Sequence, residues 1–218
     1  MKNIYGLHIC KTGGRFYHRS VLIPTIQAAY KQIPVIQNGR AGHYGWHESI
    51  EDTTFIVSGI RDVVKQQCSL FIDLNLRAKS FGEPYFFSKK DFLEWTTSPI
   101  SKNNMSKHFF YSTQIWDFGK DLEPRQMEDF NLIKERASRV NLYYDIDEGF
   151  TTAELSKKLS AAMGIEYRPR LEANTMPIGE NPQSKALYES LNESEKEYVR
   201  SVSFLDYKMY EFIKKLGK

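Results

Sequence analysis

The chain has almost no cysteine: Cys10 and Cys68 are the only two in 218 residues. Two thiols cannot supply a disulfide framework, so the fold must be held by its core. Both lie in apolar stretches, which suits buried thiols in a reducing compartment. No apolar run reaches the roughly 18 residues that a membrane-spanning helix needs. "MKNIYGLHIC", residues 1–10, lacks the long apolar region and the small-residue cleavage site of a signal peptide. A cytoplasmic location is therefore expected. Charge of one sign is scarce too. Thirty Lys and Arg against 27 Asp and Glu leave a net charge of +3. That is too little to call for nucleic acid or an anionic membrane as partner, but it permits a local cationic site for one small anion. There is no internal repeat, no low-complexity tract and no long linker, so residues 1–218 are expected to form one domain. The triphosphate loop, with four residues between glycines and then Gly-Lys-Ser/Thr, occurs nowhere.

What is present is an alternation. Residues 3–10 form a short apolar run ending at glycines, which predicts a buried strand. A helix is expected from Arg15 to about Ile33, bent or split at Pro24. Further strands are expected at 33–37, 53–59 and 139–145, and helices at 60–78, 89–97, 124–139 and 153–163. Ser88 with Asp91, and Thr151 or Thr152, are candidate N-caps, and Gly164 is a candidate stop. Residues 165–183 carry three prolines and read as an ordered loop. A last helix is expected beyond Asn192 and Glu195, with Val202, Leu205, Met209, Phe212 and Leu216 at helical spacing. Strands alternating with helices predict an α/β fold with a central, mainly parallel sheet covered on both faces.

Three stretches carry possible chemistry. "KTGGRF", residues 11–16, follows the first strand. Ligands of such sheets gather at the carboxyl ends of the strands. A glycine turn there exposes backbone N–H groups, and the next helix adds its positive end. Lys11 offers a mobile charge and Arg15 a two-pronged one. An ordinary strand-to-helix turn with a surface lysine is the competing reading. In "IRDVVKQQCSLF", Arg61 and Ser69 are eight residues apart. On a helix that spacing puts both within about 80° of one face, in reach of one anion. An Arg61–Asp62 surface pair beside a buried Ser69 is the plainer alternative. In "GHYGWHES", His43 sits between glycines, which suits a general base beside an anion site. His47 and Glu48 compete for that role, and a histidine without one is the third option.

Taken in order, these stretches resemble the PAPS-dependent sulfotransferases, specifically the carbohydrate-type branch that includes the uronyl 2-O-sulfotransferases. "CKTGGRF" matches the family's Pro-Lys-Thr-Gly-Gly/Ser-Thr-Ser loop, "GHYGW" its Gly-His loop, and "IRDVVKQQCSLF" its Arg-Asp-Pro-…-Ser segment. "NTMP" and "FLDYKMYEFI" look like its Asn-containing loop and closing Asp-x-x-Leu-Tyr helix. The resemblance spans nearly the whole chain and implies a single P-loop-like three-layer sulfotransferase domain. It implies PAPS as sulfuryl donor and PAP as product. Lys11, Thr12, Gly13, Gly14, Arg15 and Phe16 would hold the 5′-phosphosulfate, with Lys11 stabilising charge on the leaving phosphate. Arg61 and Ser69 would bind the 3′-phosphate. His43 would take the proton of an acceptor hydroxyl, most naturally a carbohydrate one. No metal is expected, since the cations come from the protein.

Departures from the family pattern are Cys10 for proline, Arg15 for a small hydroxyl residue, Val63 for proline and Gln66 for a frequent arginine. The short, anchorless chain suits a bacterial or viral form. A P-loop-type kinase or nucleotide hydrolase is the first alternative, and a PAPS- or PAP-binding protein without catalysis the second. Trp46, Trp95 and Trp116 offer rings for stacking on a sugar, but core packing serves them equally. The acceptor and the oligomeric state are not written in the sequence.

Overall fold

A computed structural model of the chain describes residues 3–7, 9, 11–12, 17–29, 36–37, 46, 50–82, 88–110, 127–168 and 181–217. The fold is α/β. Four strands, β1 (Ile4–Leu7), β2 (Ile36–Gln37), β3 (Phe55–Ile60) and β4 (Leu142–Asp145), form one sheet in the order β2-β1-β3-β4. Every pairing is parallel: Ile4 lies opposite Ile36 and Phe55, and Val57 opposite Leu142.

Alternation along the strands explains the layers. Tyr5, Leu7, Ile56, Ile60 and Tyr143 enter one core cluster. Their neighbours Ile4, Phe55, Val57, Leu142 and Tyr144 enter another. Successive strand side chains point to opposite faces, so both faces are buried and each strand reads as a nearly unbroken apolar run. The first face is covered by α4 (Asn104–Phe110), α5 (Met127–Arg139) and α9 (Phe204–Leu216) through Met105, Phe109, Ile133, Met209 and Ile213. The second is covered by a π-helical turn (Tyr17–Leu22), the α-helix α1 (Ile23–Ala29) and α6 (Thr152–Met163) through Val21, Leu22, Ile26, Leu155 and Leu159. Beyond the first layer, α2 (Val63–Ser80) packs with α3 (Lys89–Trp95), α7 (Pro182–Ser190) and α8 (Glu193–Val202) around Cys68, Phe71, Phe92, Leu187 and Val199. Cys68 is fully buried.

The local signals act as expected at most ends. The helix containing Pro24 is split, passing from π to α geometry at Ile23. Ser88 and Thr151 each close a capping box, with Asp91 and Glu154 respectively. Gly164 ends α6 with φ of 66°. Three expectations need correction. The helix after β3 begins at Val63 rather than Ile60, because Ile60 still belongs to the strand and Asp62 is the N-cap. Asn181 caps a helix that opens on Pro182, inside the stretch that reads as loop up to 183. The last helix is two: α8 and α9 part at Ser203. The break is imposed from outside. Asn103 accepts the Leu205 N–H at 3.0 Å, while Asp206 accepts the N–H groups of Met105 and Ser106 at 3.0 and 2.7 Å. Thus α4 and α9 cap each other across about 100 residues, and no local pattern announces it. Pro124, the expected start of α5, lies outside the described residues.

Among the described residues no helix is long and apolar enough to cross a membrane.

Candidate functional site: the carboxyl ends of β1 and β3

Strands β1 and β3 are neighbours, but the chain leaves β1 for β2 on one side and β3 for β4 on the other. Connections that depart in opposite directions open a crevice at the carboxyl ends of the two strands, the usual ligand position in such a sheet. Lys11 and Thr12 lie just beyond β1, and Arg61 directly follows β3. The topology therefore places two of the expected anion-binding cations at the carboxyl ends of two neighbouring strands.

The loop after β1 is tightly held. Thr12 is fully buried, and its hydroxyl donates to the Ile9 carbonyl at 2.9 Å. Its own carbonyl presses on β3 at Gly59. A Cβ there would stand 2.5 Å from the Thr12 oxygen and 2.7 Å from the Tyr144 ring. Glycine inside a strand marks such a close backbone approach. Lys11 itself has φ of 61°, left-handed backbone that a lysine seldom adopts. Strain of this kind persists where its surroundings over-determine it, and it concentrates at ligand-binding sites.

The Lys11 ammonium reaches α2, 3.1 Å from Asp73. Asp73 follows Ser69 by four residues, so both sit on one face of that helix. Ser69 is buried, 8% exposed. Lys11 and Ser69 are thus brought to the same helical face. Asp73 is shared with Arg77 at 2.9 Å.

Arg61 is 3% exposed, with its Nε donating to Asp147 at 3.2 Å. Asp147 belongs to a 3₁₀ turn (Ile146–Glu148) beyond β4. Its second oxygen accepts the Asp62 N–H at 3.0 Å, and the Lys65 ammonium stands 3.5 Å away. Arg61 is therefore not the surface residue of the plainer alternative, although the buried Ser69 of that alternative is what the structure has. Asp62 spends its carboxylate on capping α2, accepting the Lys65 N–H at 3.1 Å.

Next to this lies a further ionic group. Tyr210 donates to Asp145 at 2.8 Å, and Lys214 bridges Asp145 and Glu148. Burial pushes the Tyr210 hydroxyl up, followed by its bond to Asp145 and the charges of Asp145, Asp62 and Asp147. The bond to Glu148 raises the Lys214 ammonium most, and Asp145 adds to it. These contacts fasten α9 to the end of β4. In the segment that resembles the family's closing helix, Asp206 and Tyr210 therefore hold elements together.

The family departures find partners as well. Val63 is fully buried in the first core cluster. Gln66 is buried and donates to Asn104 at 3.1 Å, which joins α2 to α4. Trp46 is core: 3% exposed, its backbone N–H donating to the His108 carbonyl at 2.5 Å, with Arg139 over its ring at 5.0 Å. Trp95 packs against Phe71 and Phe92. Gly13, Gly14, Arg15, Phe16, His43, His47, Glu48, Trp116 and the Asn-Thr-Met-Pro stretch lie outside the described residues. Among the described residues no group of three or more His, Cys, Asp or Glu is placed to hold a metal ion.

Sequence reasoning missed Gly59, Asp73 and Asp147. Gly59 has a signal, a glycine in a β-branched run. Asp73 has a weaker one, its spacing from Ser69. Asp147 has none, since 86 residues separate it from Arg61. No family model matches the chain, and no curated protein sequence matches it either.

Proposed function

We propose that the protein is a sulfotransferase that moves a sulfuryl group from PAPS to an acceptor hydroxyl, most naturally on a carbohydrate. The observation that carries this reading is the placement of Lys11 and Arg61 at the carboxyl ends of the neighbouring strands β1 and β3. In this reading the two cations would meet the two anionic ends of one nucleotide. Gly59 lets the backbone after Lys11 close onto β3, and a cation stands on either side.

In this reading Lys11 and the N–H groups of residues 12–16 hold the 5′-phosphosulfate, and Arg61 with Ser69 holds the 3′-phosphate. The acceptor oxygen attacks sulfur in line as the bond from sulfur to the 5′-phosphate oxygen breaks. His43 removes the acceptor proton, and Lys11 neutralises charge on the departing phosphate. Positioning and charge stabilisation do most of the work, as in phosphoryl transfer.

PAP should raise the melting temperature well above any effect of AMP, since a ligand that binds only the folded state stabilises it. Equal responses to PAP and AMP would remove the role of Arg61 and Ser69. Transfer of labelled sulfate to a hydroxyl acceptor, lost in His43→Ala, is the catalytic test. If His47→Ala or Glu48→Ala abolishes transfer while His43→Ala does not, the base is misassigned. Magnesium-dependent ATP turnover would favour a kinase or hydrolase instead.

A further inference from the structure

Both cations of the crevice already hold a carboxylate. Lys11 is 3.1 Å from Asp73, and Arg61 is 3.2 Å from Asp147. The two pairs lie on different elements, Asp73 on α2 and Asp147 beyond β4. In both, the carboxylate has a second partner in place. Asp73 is also bound by Arg77 at 2.9 Å. Asp147 also accepts the Asp62 N–H at 3.0 Å and stands 3.5 Å from the Lys65 ammonium.

That second partner changes what breaking the pair costs. Asp147 is only 15% exposed, so stranding it would be costly, whereas Asp73 is 28% exposed and keeps some water. Here Lys11 can leave Asp73 to Arg77, and Arg61 can leave Asp147 to Lys65 and the backbone.

We propose that Asp73 and Asp147 are exchangeable counter-anions that set the specificity of the site. Each occupies one cation until an anionic group of the ligand replaces it, Asp73 at the 5′ end and Asp147 at the 3′ end. A ligand with an anion at one end displaces one carboxylate; only a ligand phosphorylated at both ends releases both cations. The proposal rests on the nucleotide reading of the crevice and adds to it the two groups that oppose binding.

The test is calorimetric titration of PAP and of 5′-AMP into the full chain and into Asp73→Asn and Asp147→Asn, each checked for folding by far-ultraviolet circular dichroism. Asp147→Asn should tighten PAP by about tenfold, within the usual range of coupling between two sites. It should leave AMP unchanged, because AMP has no 3′-phosphate to meet Arg61. Asp73→Asn should tighten both nucleotides alike, since both carry the 5′-phosphate. A purely structural aspartate would not separate the two ligands. Weaker PAP binding in Asp147→Asn, no change, or equal tightening of PAP and AMP overturns the proposal while leaving the nucleotide reading intact. If Asp147→Asn does not fold, Asp73→Asn decides by its own arm, and unchanged or weakened binding there overturns it. Absence of PAP binding to the unmodified chain defeats both the reading and the proposal.

Discussion

Gly59→Ala tests how the loop after β1 is held. The added methyl would stand 2.5 Å from the Thr12 carbonyl oxygen and 2.7 Å from the Tyr144 ring. Ordinary contact begins near 3.4 Å, so something must move by most of an ångström. Neither neighbour yields readily. The carbonyl belongs to a turn fixed by the Thr12–Ile9 hydrogen bond, and the ring is 4% exposed in the core. Overpacking of this kind costs about 1–3 kcal/mol. The loss of unfolded-chain freedom on replacing glycine returns about 0.4–1 kcal/mol. For a chain of this size each kcal/mol shifts the midpoint by about 2–4 °C. The midpoints of these ranges leave a net cost of about 1.3 kcal/mol, so a melting temperature lowered by about 3–5 °C is expected, read by differential scanning calorimetry. Because the displaced carbonyl immediately follows Lys11, PAP affinity should fall as well, by about tenfold for a shift of this energy. An unchanged or raised melting temperature with unchanged PAP affinity would refute the close approach and its role in placing Lys11.

Three further outcomes follow from single groups. Lys11→Gly should be about 1 kcal/mol more stable than Lys11→Ala in urea denaturation, because only glycine relaxes at φ of 61°; both should lose PAP binding, and equal stability would deny the strain. Burial raises Asp206 to about 6, from an ordinary 3.8, against the opposing pull of its bonds to Met105 and Ser106. The folded state thus holds the proton more tightly than the unfolded chain, so the stabilisation is full below pH about 4 and is lost as the pH rises through about 6. The loss amounts to about 3 kcal/mol between pH 4 and 7. Asp206→Asn should remove that pH-dependent part, and a parallel pH profile in the variant would contradict it. Arg61→Lys should weaken PAP more than AMP, since lysine loses the planar fork; equal weakening of both would deny Arg61 the 3′-phosphate.

Much of the frame was legible because its signals are local. The strands at Phe55–Ile60 and Leu142–Asp145 announce themselves by β-branched and aromatic runs, and Ser88, Thr151 and Gly164 by cap chemistry. The crevice was half legible. The loop after β1 and the Arg–Ser spacing point to an anion, but the spacing says nothing of the Asp147 that holds Arg61. The α8–α9 break at Ser203 was illegible for the same reason. Its cause is Asn103, and the apolar spacing from Val202 to Leu216 runs through the break as though the helix were one. Local chemistry is written along the chain; partners that meet only in the fold are not.

The most direct measurement is a crystal structure of the complex with PAP. The 5′-phosphate should lie against Lys11 and the backbone after it, the 3′-phosphate within hydrogen-bond reach of Arg61 and Ser69, and His43 should face the open side of the 5′-phosphate. A nucleotide bound away from the β1–β3 crevice, or one whose 3′-phosphate touches neither Arg61 nor Ser69, would contradict the assignment.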